Sequence, residues 1–443
     1  MNRRDFIRNS VLAGGAAQLA SRSAKAALQQ VAPSQRITVG VLGAGARAQD
    51  LMDTAMELPG VEIVALCDAY SGRAQRARQR TGGRAEIYSN YQEILDLKGV
   101  DAVFIGSPDH WHRQMALDSL KAGKDVYIEK PMTYTVDEGL EIIQAAGKSD
   151  RIFQVGSQGM SSATQETARQ MVQEGKLGQV TMIRASYNRN TASGAWIYPI
   201  PPDASPETVG WEQFSGSAPR HPFSLERFFR WRCYKDYSGG IATDLFVHLV
   251  TSIHFITGAR MPESVMASGQ LYRWTESRDV ADTVNAILVY PEGFTANLSS
   301  TFNNQSSSES GFEIMGTEGT LSFRGGRMVF SPENVYENNR WVVTSWPRDL
   351  ERAYYSDPEV QKKETPSSWA PRMHSDSQEW REMGRGATHV HLSRFFDSVR
   401  SRKKPLQDAL MGHRAASCAH LVNLSMERKA AVYWDFEREK VKD

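Results

Sequence analysis

The chain carries a glycine-rich turn between a short apolar run and a helical pattern, because residues 37–48 read ITVGVLGAGARA. The run Ile37–Leu42 predicts a buried strand, and a G-x-G-x-x-A turn follows it. Gly43 permits the tight turn, Gly45 lets a pyrophosphate approach the backbone, and the small Ala48 lets the helix pack on the strand. The turn therefore predicts a dinucleotide-binding βα unit. The residues expected at the phosphates are Gly43, Ala44, Gly45, Ala46, Arg47 and Ala48.

Asp68 indicates which dinucleotide is bound. It follows the apolar run Val61–Cys67, at roughly the 20-residue distance from the turn at which a carboxylate bonds a ribose 2′-hydroxyl. A carboxylate repels a 2′-phosphate, so NAD is favoured over NADP. Arg73 argues the other way, since a guanidinium accepts a 2′-phosphate. The plainer reading is a surface aspartate after a glycine-rich turn.

Short β-rich runs alternate with helical segments from Arg36 to about Ser157. This alternation predicts βαβ units, a parallel sheet and an N-terminal Rossmann domain of the α/β class. Strands are expected at 37–42, 61–67, 85–88, 102–105, 126–128 and 152–155. Helices are expected near 46–58, 71–80, 90–97, 111–122 and 135–147.

The pattern changes after Ser157 to that of an α+β domain. Strands expected at 263–272, 283–290, 294–302, 311–316 and 319–330 predict an open, mostly antiparallel sheet. A helix near 161–174, a strand near 179–189, a Pro- and aromatic-rich loop at 199–233 and a helix near 241–257 precede them. The predicted domains are 36–157 (NAD(P)-binding), 158–387 (substrate and oligomerisation) and 388–443 (a C-terminal helical segment packing back on the core).

Composition excludes several classes of protein. The 443 residues, 40% hydrophobic and 23% charged, fit a globular chain of two or three domains. A formal net charge of +1 gives no broad basic face, so no nucleic-acid partner is expected. No apolar run reaches the roughly 18 residues of a membrane span. Three widely spaced cysteines form neither a disulfide framework nor paired zinc ligands.

The first 26 residues have the pattern of an export signal. Arg3 and Arg4 precede a mild apolar stretch at 10–20, and residues 24–26 form a small-x-small site. This order is typical of a bacterial twin-arginine signal and predicts cleavage after Ala26 and a periplasmic or secreted protein. The alternative is a basic amphipathic N-terminal helix, which the glycines at 14 and 15 weaken.

Two further motifs follow strands of the predicted Rossmann sheet: residues 106–112 read GSPDHWH, and residues 129–131 read EKP. Open α/β sheets bind ligands at the carboxyl ends of their strands. The residues expected at the cofactor are therefore Asp68, Ser107, Pro108, His110, Trp111, His112, Glu129 and Lys130. Read alone, Lys130 is more simply a solvated surface lysine.

A third motif, residues 237–248, is a glycine-rich entry to a helix that ends in D-x-x-x-H. Asp244 and His248 are spaced i, i+4, so their side chains are expected to share one helix face and meet at one site. Histidine suits general-base work near neutral pH, and a neighbouring carboxylate orients its ring. Without the other motifs, a capping aspartate and a core histidine explain the pair as well.

Together these motifs resemble the Gfo/Idh/MocA (glucose–fructose oxidoreductase and inositol dehydrogenase) family, in its secreted, twin-arginine-signal type. The resemblance covers nearly all of the mature chain, including Phe395 to Asp435. It implies a Rossmann domain joined to a domain whose open sheet presents substrate to the nicotinamide. It also implies that Lys130 is the catalytic lysine, that Asp244 is the carboxylate and that His248 transfers the proton.

The aromatic and basic segment 196–237 is expected to form the wall of a carbohydrate site, although each aromatic side chain alone is as easily explained by packing. The substrate residues expected are Trp111, Lys130, Tyr187, Trp196, Arg230, Arg232, Tyr237, Asp244 and His248. No metal is expected, since Asp109, His110 and His112 would need distant ligands to complete a metal shell.

These observations predict an exported NAD-dependent oxidoreductase acting on a hydroxyl of a sugar or sugar derivative. Free nicotinamide dinucleotide is not expected outside the cytoplasm, so the cofactor is expected to stay bound and to be recycled. The alternatives are a redox-neutral, NAD-dependent glycoside hydrolase and a non-catalytic sugar-binding protein. The exposed face of an open sheet predicts a homo-oligomer, a dimer or a tetramer.

Overall fold

The structure is a computed structural model that describes residue 32 and residues 35–276, 278–305, 311–333, 337–364 and 376–442. The predicted export signal, residues 1–26, lies outside the described residues.

The N-terminal part forms a parallel sheet of six strands in the order β3-β2-β1-β4-β5-β6, counted over the described residues. The strands are β1 (Ile37–Leu42), β2 (Val61–Cys67), β3 (Glu86–Ile87), β4 (Ala102–Ile105), β5 (Asp125–Glu129) and β6 (Phe153–Gly156). The helices between them are α1 (Ala46–Met56), α2 (Ser71–Arg80), α3 (Tyr91–Asp96), α4 (His112–Lys121) and α5 (Val136–Gly147). β4 and β5 are buried along their whole length, as strands covered by helices on both faces require. The predicted Rossmann domain is confirmed.

The order of the strands reverses between β1 and β4, which are neighbours in the sheet. At such a switch point the loops after the two strands separate and leave a crevice for a ligand. The glycine-rich turn follows β1, and the segment 106–112 follows β4. The fold therefore brings the first two sequence motifs to one crevice.

The second sheet has ten strands, counted over the described residues, in the order β14-β13-β12-β11-β7-β10-β9-β8-β15-β16. Its strands are β7 (Val180–Asn188), β8 (Ser264–Gln270), β9 (Thr283–Tyr290), β10 (Phe294–Thr301), β11 (Gly311–Gly316), β12 (Gly319–Arg324), β13 (Arg327–Pro332), β14 (Gln378–Arg381), β15 (Val432–Asp435) and β16 (Lys440–Val441). β7 and β10 pair in parallel, and the other strand pairs among the described residues of this sheet are antiparallel. Buried side chains alternate with partly or fully exposed ones along β9 and with partly exposed ones along β10, because helices cover one face alone. The open, mostly antiparallel sheet is confirmed.

The remaining helices are α6 (Ala163–Gln173), α7 (Trp211–Ser215), α8 (Leu225–Phe229), α9 (Val247–Thr257), α10 (Arg340–Val343), α11 (Arg348–Ser356), α12 (Pro358–Lys363), α13 (Ala387–Ser401) and α14 (Ala409–Arg428). α13 packs Phe395 and Phe396 against the Rossmann core, whereas α14 packs Cys418 and Leu421 into the core of the second sheet. The C-terminal segment thus ties the two sheets together.

Three details differ from the sequence expectation. The strand expected at 319–330 is a hairpin of β12 and β13, because Gly325 and Gly326 adopt φ of 54° and 74° and turn the chain. The loop expected at 199–233 holds α7 and α8. The C-terminal segment, expected to be helical, also supplies β15 and β16, which extend the second sheet.

In the described part of the chain, no helix combines the length and apolar character needed to cross a membrane.

Candidate active site

A cavity of about 810 Å³ lies between the carboxyl ends of the Rossmann strands and the segment 189–248 of the second domain. Its wall includes residues from all three sequence motifs. Those predicted residues are Gly43, Gly45, Ala46, Arg47, Asp68, Ser107, Pro108, Trp111, His112, Glu129, Lys130, Trp196, Arg232, Asp244 and His248. The fold therefore brings most of the predicted site into one space.

The glycine-rich turn is shaped to receive a phosphate group. Gly43 has φ of +86°, and a Cβ atom there would lie 2.7 Å from the backbone nitrogen of Ser107. A Cβ at Gly45, in contrast, would meet nothing within 4 Å. The backbone at Gly45 is thus open to the cavity at the start of α1, where helix N–H groups favour an anion. The turn fits the pyrophosphate of a dinucleotide.

Asp68 lies at the end of β2, beside this turn. Its Oδ1 accepts a hydrogen bond from the backbone N–H of Tyr70 at 2.8 Å. Burial raises the pKa of Asp68, and the nearby charge of Arg73 partly lowers it. The Arg73 guanidinium itself lies 5.1 Å from the ring centre of Phe229. Because a carboxylate faces the cavity here, the site fits the ribose hydroxyls of NAD.

Glu129 and His112 hold the wall between the turn and the catalytic end. Glu129 Oε1 accepts hydrogen bonds from Arg47 Nε at 3.1 Å and from Gln158 Nε2 at 2.8 Å. The His112 ring lies between two carbonyls, those of Pro131 and Ser107. Burial lowers the pKa of His112 to about 4, and the two carbonyls oppose this effect because they favour the protonated ring. Both side chains act mainly by fixing their neighbours.

Lys130, Asp244 and Arg232 form a charge cluster at the other end of the cavity. Lys130 Nζ lies 3.0 Å from Asp244 Oδ1 and donates to the Asp244 backbone carbonyl at 2.8 Å. Arg232 Nε donates to the same Oδ1 at 3.1 Å. Burial raises the pKa of Asp244, but the two cations outweigh that effect and hold the pKa well below its usual range. Asp244 is therefore ionised and fixes Lys130 at the cavity wall.

His248 borders the same cavity, but no hydrogen bond joins its ring to Asp244, the partner expected from the i, i+4 spacing. In the described part of the chain the ring makes no hydrogen bond, and Asp244 is used by Lys130 and Arg232. The reason is local: Ala242–Phe246 form a π-helical turn, which breaks the i, i+4 relation of a regular α-helix. Burial, together with the charge of Lys130, lowers the pKa of His248 to about 3. The ring is therefore neutral near pH 7, and its nitrogen lone pair can accept a hydrogen bond.

Several predicted residues lie away from the cavity wall. Tyr237 is fully buried and packs on His110, whose Nε2 lies 2.9 Å from the Phe214 carbonyl. Arg230 is held by the Tyr198 carbonyl and Glu226. Tyr187 borders a neighbouring cavity of about 530 Å³, which His248 also reaches. Ala44 and Ala48 are buried beneath the turn. Tyr237 is held by packing and Arg230 by hydrogen bonds, away from the cavity wall, and their role in binding substrate stays a prediction.

Asp109 also lies at this site. From the sequence it was considered only as a candidate metal ligand. It is 4% exposed and borders the cavity beside the charge cluster. Burial raises its pKa to about 7, an effect that Asp244 increases and that Arg232 and Lys130 oppose. A carboxyl group with this pKa exchanges a proton near neutrality. The useful signal in the sequence was its place in the loop that follows β4.

A segment of the second domain lies across the edge of the Rossmann domain; we call residues 203–214 the strap. Val209 forms a β-bridge with Tyr70, and Gly210 N–H donates to the Ala69 carbonyl at 2.7 Å. The Tyr70 hydroxyl donates to Asp203 Oδ1 at 2.5 Å. At its end, the Phe214 carbonyl accepts from Trp111 Nε1 at 2.8 Å. The strap thus covers the part of the cavity beside Asp68.

No group of three or more His, Cys, Asp or Glu side chains that could hold a metal ion occurs within the described ranges.

Comparison with protein families gives two matches. Residues 37–157 match the family described as "Oxidoreductase family, NAD-binding Rossmann fold". Residues 213–322 match the "GFO/IDH/MocA C-terminal domain". The two matches together cover more than half of the chain and fall on the two sheets described above.

Individual relatives agree with this. The chain is 25% identical to 1,5-anhydro-D-fructose reductase from Ensifer adhaerens over 67% of this chain and 77% of that protein. It is 28% identical to an alpha-N-acetylgalactosaminidase from Shewanella oneidensis over 37% of this chain, spanning 38% of that protein. A solved levoglucosan dehydrogenase in complex with NADH shares the fold, with a TM-score of 0.65 at 18% identity over 90% of this chain and 99% of that one. The chain belongs to the Gfo/Idh/MocA family of NAD-binding oxidoreductases.

Proposed function

We propose that the protein is an exported oxidoreductase that acts on a hydroxyl group of a sugar or sugar derivative and keeps its NAD bound through the catalytic cycle. One observation carries the chemistry: the cluster of Lys130, Asp244 and Arg232 and the neutral His248 border the same cavity as the phosphate-binding turn. The relatives named above act on sugars, which supports the substrate class.

The side chains divide the work at the substrate hydroxyl. NAD, held by the turn at residues 43–48 and by Asp68, supplies the acceptor for a hydride when it is bound. Lys130 donates a hydrogen bond to the hydroxyl oxygen and stabilises the negative charge that develops there. Asp244 holds the Lys130 ammonium in place, and Arg232 holds the Asp244 carboxylate. The neutral His248 ring accepts the hydroxyl proton.

The strap supports the retention of the cofactor. Its main-chain bonds to Ala69 and Tyr70 lie beside Asp68, where we propose that they slow the release of a bound dinucleotide. A retained cofactor must be regenerated on the enzyme. Oxidation of one sugar followed by reduction of a second sugar satisfies this condition.

A redox-neutral glycoside hydrolase is the second candidate, and Asp109 favours it. In that reaction the hydroxyl carbon is first oxidised, the acidified neighbouring C–H loses its proton, the aglycone leaves with a proton, water adds, and the carbon is reduced again. The net change is hydrolysis of the glycoside. Asp109, with a pKa near 7, can carry a proton in addition to His248. The galactosaminidase relative supports the same candidate.

The decisive experiment denatures protein purified without added cofactor and quantifies the NAD(H) released. We expect about one NAD(H) per chain, and we expect Lys130→Ala and His248→Ala to keep the dinucleotide but lose turnover of a sugar panel. Lys121→Ala, on the exposed end of α4, is the matched control and retains activity. Absence of dinucleotide even at high added NAD would refute the proposal. That result would favour the alternative of a non-catalytic sugar-binding protein. The clustering of Lys130, Asp244 and His248 at one cavity argues against this alternative.

Heavy water separates the two candidates. A glycosidase cycle exchanges the C–H beside the oxidised carbon, so its product carries solvent deuterium there and no net NADH accumulates. A sugar–sugar oxidoreductase leaves that position unlabelled.

Export and assembly are further parts of the proposal. We propose that residues 1–26 direct twin-arginine export to the periplasm or beyond and that the exposed face of the second sheet pairs in a dimer or tetramer. N-terminal sequencing of protein recovered outside the cytoplasm tests the first, and light scattering tests the second.

A further inference from the structure

The substrate end of the cavity carries more positive than negative charge. Lys130, Arg189 and Arg232 border it, and Asp244 is the carboxylate there whose pKa is held low. Asp109, the second carboxyl, is buried and takes up a proton near neutral pH. Three cations therefore face one firmly ionised carboxylate. Such an imbalance in a partly enclosed cavity favours an anionic ligand.

Arg189 is the cation at the substrate end of the cavity that forms no ion pair with a described residue. Lys130 and Arg232 share Asp244, and Arg47 at the cofactor end bonds Glu129. Arg189 forms no ion pair with any residue in the described part of the chain. Its Nη1 donates to the Gly194 carbonyl at 3.3 Å, and its guanidinium lies 5.9 Å from the ring centre of Phe302. Most of its N–H donors remain available to a ligand.

The position of Arg189 places that unused charge at the substrate. It follows the last residue of β7, and its backbone N–H donates to the Thr301 carbonyl at 2.8 Å, which fixes where the side chain begins. Its charge contributes to the lowered pKa of His248 and opposes the raised pKa of Tyr198. Arg189 therefore lies close to both the proton-accepting ring and the aromatic wall.

We propose that Arg189 binds a carboxylate on the substrate, so that the sugar oxidised in this cavity is an acidic one, such as a uronic or aldonic acid or its glycoside. A guanidinium fork matches a carboxylate in two parallel hydrogen bonds, which fixes the orientation of the sugar as well as its charge. This inference rests on the proposed function, since it names the substrate class of that same site.

The test measures equilibrium binding and turnover with the NAD-loaded protein and matched sugars that differ in one carboxylate. The pairs are D-glucuronate with D-glucose and D-galacturonate with D-galactose, and D-gluconate and glucose 6-sulfate are added as single probes. We expect an acid to bind about tenfold to a hundredfold more tightly than its neutral partner, the range of one charge-assisted hydrogen-bonding pair. Titration calorimetry gives the binding and initial rates give KM.

The variants locate the effect. Arg189→Gln should weaken binding of the acid far more than binding of the neutral sugar, whereas Arg189→Lys should restore part of the preference for the acid. Arg184→Gln is the matched control, because Arg184 lies on the same strand but is exposed and borders a different cavity. Thermal melting identifies a variant that fails to fold, in which case the comparison between wild type and Arg189→Lys decides.

Three results would overturn the inference. They are equal binding of acid and neutral sugars by the wild type, equal weakening of both by Arg189→Gln, and tighter binding of the sulfate ester than of any carboxylate. If neutral sugars alone are turned over with NAD bound, this inference fails and the proposed function stands. If no NAD binds and no sugar is turned over, the proposed function fails first.

Discussion

Two glycines of one turn serve different purposes, and alanine distinguishes them. A Cβ at Gly45 would enter open cavity, so Gly45→Ala should fold normally but lose NAD affinity by about tenfold or more, because the methyl group occupies the place of a phosphate. A Cβ at Gly43 would press on Ser107 at a φ of +86°, so Gly43→Ala should cost about 1–3 kcal/mol of folding free energy. Melting temperature and bound NAD(H) measure both effects. Equal loss of stability in the two variants would contradict the assignment.

Asp109 should make stability depend on pH in a definite direction. Its pKa is near 7 in the folded protein and near 3.8 ordinarily, so the folded state holds the extra proton between these values. The stability that Asp109 contributes is present below about pH 4 and is lost as pH rises to 7, at up to about 1.4 kcal/mol per pH unit. Asp109→Asn removes this dependence. Urea unfolding of both proteins at pH 5, 6, 7 and 8 tests it, with the exposed Asp96→Asn as control. The same dependence of the unfolding free energy on pH in the wild type and in Asp109→Asn would refute this prediction.

The motif residues of the site could be predicted because each follows a strand end that hydrophobic pattern reveals. Gly45, Asp68 and Lys130 were found in this way. Arg189 was not, because it follows a strand of the second sheet in an irregular segment with no motif. Asp109 lay inside a motif, but its burial, which sets its pKa, depends on distant segments that no local pattern encodes.

At the scale of the element, the turn before α9 shows the limit of periodicity. The apolar pattern from 241 to 257 is the same for a regular helix and for one that begins with a π-helical turn. The structure contains that turn at Ala242–Phe246, preceded by Gly240 at φ of 63°. It directs Asp244 toward Lys130 instead of His248. The spacing therefore predicted the correct residues at the site but the wrong partner for the carboxylate.

The strap predicts a change in the rate at which cofactor leaves. Asp203→Asn and Tyr70→Phe each weaken or remove the bond between the Tyr70 hydroxyl and Asp203. Because hydrogen bonds to charged groups contribute about 1.5–3 kcal/mol, we expect release of NADH to accelerate roughly tenfold. Glu207→Gln, an exposed change within the strap, should leave the rate unaltered. A fluorescence chase of bound NADH measures it. Unchanged release in both variants would mean that the strap does not hold the cofactor.

At the scale of the whole molecule, the sequence predicted both sheets because their patterns differ in kind. Fully apolar runs separated by helices specify the parallel sheet, and alternating runs after residue 260 specify the open one. The contacts that join the two sheets could not be predicted from these patterns. α13 packs on the Rossmann core and α14 on the second core, although both read simply as amphipathic helices. Which surface a helix covers depends on the tertiary structure.

Buried histidines should make the whole molecule sensitive to acid. Six in the described part of the chain have pKa values lowered chiefly by burial, to about 3 or 4: His110, His112, His248, His254, His391 and His420. The unfolded chain protonates them near pH 6.5 while the folded protein does not, so stability present above pH 6.5 is lost as pH falls, by up to about 1.4 kcal/mol per pH unit for each. The melting temperature should therefore fall steeply as the pH is lowered from 8 to 5.

His391→Gln removes one of these titrating groups, so the melting temperature of this variant should fall less steeply with decreasing pH than that of the wild type. Ser161→Ala removes one of the two hydrogen-bond partners of the His391 ring but no titrating group, so it should lower the melting temperature by a similar amount at every pH. A variant slope equal to that of the wild type would show that His391 is protonated in the folded protein.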